Sequence, residues 1–248
     1  YGLFQTDHTY GEAANAVENL ASRYQSIGAG QGHRIGLALE NRPEFFVHFL
    51  ALNSLGASIL PLNCAMRRDE LFHQIEHSEC ALIVAAPQHG ADLSSVVSEA
   101  VAAPRVIDPS GLQVSSPLIT AEAGSRIGGG SAAMREAAIL YTSGTTGKPK
   151  GCILSNDYFL AIGDLYTGLG GHIRFEPGEE RIITPLAVTH MNALACSFMA
   201  AIQTGGCLIQ LDRFHPKSWW ATARESGATI MHYLGVMPAM LLQAPETA

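Results

Sequence analysis

Short apolar runs of strand length alternate with helix-length stretches along most of this chain, and that alternation restricts the fold more than any other feature. Residues 34–39, 57–61, 81–85 and 105–107 read as strands, dominated by Ile, Leu, Val and Ala. Between them, Pro43 sits at the start of a largely buried helix that Gly56 stops. An amphipathic helix is predicted over 67–78, and a further helix around 92–102. Ahead of all these, Thr9-Tyr-Gly-Glu12 is a capping box, with Ala13, Val17, Leu20, Ala21 and Tyr24 forming the apolar stripe of the helix it opens. The alternation resumes in the second half: helix 156–169, strand 181–184, helix 190–203, strand 207–211, helix 216–226, strand 229–233 and helix 237–242. Strands alternating with helices of this length predict βαβ units, an α/β fold and a mostly parallel sheet. Residues 109–135, with Gly128, Gly129 and Gly130, read as a connection.

One segment departs from this grammar: Tyr141-Thr-Ser-Gly-Thr-Thr-Gly-Lys-Pro-Lys-Gly151. Thr142, Ser143, Thr145 and Thr146 supply hydroxyls, Gly144 and Gly147 free the backbone, and Lys150 adds a cation. A Ser/Thr/Gly/Pro cluster between apolar runs is by default a surface loop. This one follows a buried strand at 137–141 and precedes a short strand at 152–154, and a glycine-rich loop at a strand's carboxyl end is where α/β folds place ligands. Its hydroxyls, backbone N–H groups and ammonium suit a phosphate. It is not the nucleoside-triphosphate P-loop, which needs four residues between its glycines and Ser or Thr directly after its lysine. Here two residues separate Gly144 from Gly147, and Pro149 follows Lys148.

The net charge of −7 argues against a nucleic-acid or anionic-membrane surface, so an anion site would have to be local. The 47% hydrophobic and 15% charged composition is that of a globular protein with ample core. Five scattered cysteines without a CxxC pair fit small core thiols in a reducing compartment, and the expected location is cytoplasmic. The most apolar stretch, 186–202, is too short and too polar to span a bilayer. A first residue other than Met suggests a piece of a longer protein.

The segment at 141–151 resembles the signature loop of the adenylate-forming enzymes, the acyl-CoA synthetases, peptide-synthetase adenylation domains and luciferases. It matches the family's Tyr-Thr-Ser-Gly-Thr-Thr-Gly-x-Pro-Lys-Gly at every fixed position, with Lys148 in the variable one. Thr9-Tyr-Gly-Glu12, Asn41-Arg-Pro-Glu-Phe45, Gly56-Ala-Ser-Ile-Leu-Pro-Leu-Asn63 and Gly205-Gly206 sit where acyl-CoA synthetases carry similar strings. The resemblance implies an incomplete N-terminal large domain of stacked α/β subdomains. One would span 33–175, the other 1–32 with 176–248, and the mobile C-terminal domain would be absent. It implies ATP-dependent conversion of a carboxylic acid to an acyl-adenylate, then thioesterification to coenzyme A. Thr142, Ser143, Gly144, Thr145, Thr146, Gly147 and Lys150 would hold the triphosphate, and Thr142 would also contact Mg²⁺. His190, at the start of the apolar helix, would contact the acyl substrate, although Thr189 stands where the family usually has an aromatic residue.

Two readings within the same family differ only in product, a peptide-synthetase adenylation domain or a fatty-acyl-AMP ligase. A non-catalytic nucleotide-binding or scaffold protein is the reading from another class. The family's metal-binding glutamate, ribose-binding acid and catalytic lysine would lie beyond residue 248, so these 248 residues alone are expected to be inactive. The sequence leaves the acid and the oligomeric state open, a homodimer included. His73-Gln-Ile-Glu-His77 also fits the H-x-x-E-H zinc pattern. Zinc would need a third ligand, and an amphipathic helix with Leu71 and Ile75 inward accounts for the same segment.

Overall fold

The computed structural model describes residues 7–101, 103–113, 119, 131–142 and 148–243. The chain divides into two compact units, Tyr1–Asn156 and Asp157–Ala248.

The first unit runs α1 (Tyr10–Ser26), β1 (Arg34–Ala38), α2 (Pro43–Ser54), β2 (Ser58–Pro61), α3 (Arg68–Ser78), β3 (Leu82–Ala85), α4 (Gly90–Val97), β4 (Arg105–Ile107), β5 (Glu136–Thr142) and β6 (Lys150–Ser155). The strands form one sheet in the order β4-β3-β1-β2-β5-β6. Every neighbouring pair is parallel except β5 and β6, which are antiparallel. β1, β2 and β3 are buried at every position, as strands of a sheet covered on both faces must be. β4 and β6 are the edges and are partly exposed. One core cluster joins Leu60 and Leu62, Leu71 and Ile75 of α3, Ile83, Leu93 and Val96 of α4, and Ile139 of β5.

The predicted capping box opens α1: the Thr9 backbone N–H donates to Glu12 Oε2 at 2.8 Å, and the Glu12 N–H donates to Thr9 Oγ1 at 3.2 Å. The division at 156/157 differs from the sequence expectation, which broke the chain at 175 and joined residues 1–32 to the later half. α1 stays with the first unit because it packs along α2. Fully buried Tyr24 places its hydroxyl 2.6 Å from His48 Nδ1, with the two rings edge to face at 5.7 Å.

The second unit holds α5 (Asn156–Thr167), which begins at the boundary, then β7 (Arg181–Thr184), α6 (Phe198–Thr204), β8 (Cys207–Gln210), α7 (Trp219–Glu225), β9 (Ile230–Met231) and α8 (Met237–Leu242). Its three strands are parallel in the order β8-β7-β9. One side of the core packs Ile182, Ala200 and Ile230; the other packs Ile183, Leu211, Trp219 and Met237. Gly205 closes α6 at φ 67°, a left-handed cap that suits a residue without Cβ. The helix predicted over 190–203 is two segments. A wide π-helical turn covers Asn192–Ser197, and α6 follows it. The Ser197 hydroxyl donates to the Asn192 carbonyl, five residues back, at 3.2 Å, a spacing that α geometry does not provide. The α/β class and the mostly parallel sheet are as the sequence predicts.

Candidate functional site

The signature segment is built on a β-hairpin. β5 and β6 pair through Thr142 and Lys150, Tyr141 and Gly151, Leu140 and Cys152, and Ile139 and Ile153. Where the sequence suggested a strand over 152–154, β6 starts at Lys150, so Lys150 is a strand residue at the end of the hairpin where the two strands are connected. Directly opposed residues of an antiparallel pair have Cβ atoms roughly 5 Å apart. The register therefore sets Thr142 and Lys150 opposite one another on the same face of the hairpin. Both residues are exposed, and Lys150 forms no ion pair with any described residue. Ser143, Gly144, Thr145, Thr146 and Gly147 lie outside the described residues.

β5 is parallel to β2, so its carboxyl end belongs to the sheet edge where such folds place ligands. The topological switch point of this sheet lies between β1 and β3, with β2 standing between β1 and β5. Glu40 occupies the switch point at φ 60°, its carboxylate accepting from His89 Nε2 at 2.8 Å and Gln88 Nε2 at 3.0 Å.

The root of β5 is tied into the sheet by charge. Glu136 accepts from Arg34 Nε at 2.6 Å, Arg34 Nη2 at 2.7 Å and Ser58 Oγ at 2.8 Å. Arg34 Nη1 also donates to the Ser78 carbonyl at 2.9 Å. The hydrogen bond to Glu136 holds the guanidinium pKa above its ordinary value against the opposing pull of burial. β1, β2, β5 and the end of α3 thus meet at one buried ion pair.

α3 lies against the hairpin. His73 Nε2 is 2.9 Å from the Pro149 carbonyl, and His77 Nδ1 is 2.8 Å from the Tyr141 hydroxyl. Burial pushes the Tyr141 phenol up to about 12, so it keeps its proton at neutral pH. Sequence reasoning noticed the two histidines for their metal-like spacing and assigned them no partner. Their partners are 64 and 76 residues away, and only the packing of α3 against β5 and β6 supplies them. Among the described residues, no group of three or more His, Cys, Asp or Glu side chains is placed to hold a metal ion.

His190 lies in the second unit and is exposed. Its N–H donates to the Ala187 carbonyl at 3.0 Å, and its own carbonyl accepts from the Leu194 N–H at 3.2 Å, so it opens the helical segment. Just beside it, Thr189 Oγ1 and Asn192 Oδ1 are buried without a hydrogen-bond partner among the described residues. Further along, Ser197 Oγ meets His232 Nδ1, and the Tyr166 ring stands edge-on to that imidazole at 5.2 Å. Burial lowers His232 to about 4, which leaves it neutral at pH 7. No helix among the described residues is long and apolar enough to cross a membrane.

Comparison with known proteins places these features in context. The family model described as "AMP-binding enzyme" matches residues 3–248. The crotonobetaine/carnitine–CoA ligase of Shigella flexneri serotype 5b (strain 8401) is 23% identical over 263 residues, covering 97% of this chain and 48% of that protein. The chain thus spans about half the length of the curated relatives it matches. Among solved structures, ATP-bound MatB from Rhodopseudomonas palustris superposes with a TM-score of 0.77 at 26% identity, over 98% of this chain and 47% of that one. The N-terminal domain of FACL13 from Mycobacterium tuberculosis superposes with a TM-score of 0.78 at 20% identity, over 96% and 58% respectively, a likeness of fold.

Proposed function

Because the chain belongs to the AMP-binding enzyme family, we propose that the intact protein activates a carboxylic acid with ATP and passes the acyl group to coenzyme A. In the first step a carboxylate oxygen bonds to the α-phosphorus and pyrophosphate leaves. In the second the coenzyme A sulfur bonds to the acyl carbon and AMP leaves. Both steps bring anions together, so the protein's main work is to neutralise charge and hold the reactants in line.

The observation that carries this reading is the pairing of Thr142 with Lys150 at the exposed end of β5 and β6. A hydroxyl and an ammonium on facing strands present a donor and a cation to the same oxygens, which is the chemistry a polyphosphate needs. In this reading Thr142, Ser143, Gly144, Thr145, Thr146, Gly147 and Lys150 hold the triphosphate. The Thr142 hydroxyl, an oxygen donor of the hard type, suits Mg²⁺, which when bound would neutralise phosphate charge. His190 faces the acid. Coenzyme A as acceptor is supported by the CoA ligases among the relatives, and ATP by the nucleotide-bound neighbour.

The test is acid-dependent exchange of labelled pyrophosphate into ATP by the intact protein, over a panel of carboxylic acids, followed by coenzyme A addition. Lys150→Ala is expected to cost ~1–3 kcal/mol in kcat/KM for ATP, the worth of a charge-assisted hydrogen bond. Exchange kinetics unchanged by that substitution would refute the assignment of Lys150.

A further inference from the structure

One histidine of α3 bonds β5 and the other the residue leading into β6, each immediately before a residue assigned to phosphate. A carbonyl oxygen can only accept, so His73 carries its proton on Nε2 and donates to Pro149 at 2.9 Å. Pro149 immediately precedes Lys150. On the other strand, the Tyr141 hydroxyl lies 2.8 Å from His77 Nδ1 and 3.3 Å from the Gln74 carbonyl, and Tyr141 immediately precedes Thr142. The tyrosine ring stands edge-on to both imidazoles, at 6.2 Å and 5.9 Å, and the imidazoles are 5.4 Å apart. Gly151, which faces Tyr141 in the register, makes room for this: a Cβ there would stand 2.7 Å from Ile139 Cδ1 and 3.1 Å from Tyr141 Cζ.

β6 is an edge strand, paired only to β5. An edge strand paired on one side only opens locally at small free-energy cost, whereas a binding constellation must be held to within about 0.5 Å to act as one. A helix anchored in the core by Leu71 and Ile75, with one hydrogen bond to β5 and one to the residue that leads into β6, restrains that opening. We propose that His73 and His77, through Pro149 and Tyr141, are positioning residues that fix Lys150 and Thr142 for the triphosphate of ATP. This rests on the phosphate reading of the hairpin given above.

Amide substitutions test it, because glutamine places its nitrogen near the position of imidazole Nε2 and asparagine near that of Nδ1. The readout is the dissociation constant for MgATP of the intact protein, measured calorimetrically beside its melting temperature. His73→Leu is expected to weaken MgATP about tenfold, one hydrogen bond's worth, with melting shifted by no more than about 4 °C. His73→Gln should recover affinity to within about threefold and His73→Asn should not, since only a donor at the Nε2 position reaches Pro149. At the second histidine the order reverses: His77→Asn retains affinity, His77→Gln does not, and Tyr141→Phe matches His77→Leu. A purely structural role would give no such crossed pattern. Wild-type affinity in His73→Leu, or equal weakening by Gln and Asn at position 73, overturns the inference while leaving the phosphate reading intact. If His73→Leu does not fold, the contrast between Gln and Asn decides. Failure of the wild-type protein to bind MgATP would overturn the phosphate reading itself, and the inference with it.

Discussion

Removing the carboxylate of Glu136 tests how the sheet holds the strand that carries the signature segment. Glu136 is the acceptor for two Arg34 donors and for Ser58, and the side chains of Arg34 and Glu136 are only 8% and 6% exposed. The pair spans from β1 to β5 across β2, where β2 and β5 share a single register pair, Ile59 with Ala138. Glu136→Ala leaves the guanidinium buried with only the Ser78 carbonyl to accept from it. Stranding a buried charge in this way costs about 3–5 kcal/mol. Arg34→Met by itself leaves the carboxylate with Ser58 alone and should be similarly damaging. The double variant Arg34→Met/Glu136→Leu removes both charges and should be more stable than the sum of the single losses by about 2 kcal/mol or more. Its remaining deficit is set by the Ser58 hydroxyl and the Ser78 carbonyl, which lose their partners. Urea unfolding of the intact protein, with amide hydrogen exchange read at β1 and β5, gives both quantities. A loss below about 1 kcal/mol for Glu136→Ala, or additive single-variant losses, would refute the reasoning, because a stranded interior charge cannot be that cheap.

Two further perturbations follow from other parts of the molecule. Burial lowers both His48 and His232 from 6.5 to about 4. The unfolded chain therefore takes up these protons first on acidification, so stability is fully present above about pH 6.5 and declines as pH falls towards 4, by at most about 3 kcal/mol per imidazole. Unfolding free energies flat between pH 7 and 4.5 would contradict this. Gly151→Ala should cost ~1–3 kcal/mol, since its Cβ meets Ile139, which is 2% exposed, and the Tyr141 ring tethered by its hydroxyl. Imidazole NMR of the same variant should show the His77 environment shifting with Tyr141, and unchanged stability and spectra would count against the close-packing argument.

The parallel strands were legible because each is an uninterrupted apolar run bounded by turn residues, and β1, β3 and β7 fall where those runs predict. The hairpin was less so. The sequence around Cys152 suggests only a short strand, because β6 is an edge whose exposed positions break the apolar pattern. The π-helical turn at Asn192–Ser197 has no signature in a run of apolar residues that suits an ordinary helix equally well. At the candidate site, residue identity alone marked Thr142 and Lys150. Their facing arrangement required the β5–β6 register.

The sequence by itself determined the chemistry available: a stretch of hydroxyls, glycines and a cation between two strands, within an α/β chain of one recognisable family. Only the tertiary structure decided what supports it. His73 and His77 read locally as an amphipathic helix face or a metal pair, and the partners Arg34 and Glu136 stand 102 residues apart in the chain. Local periodicity reports which way a side chain faces along its own element, whereas a partner distant in the chain is chosen by how the elements pack.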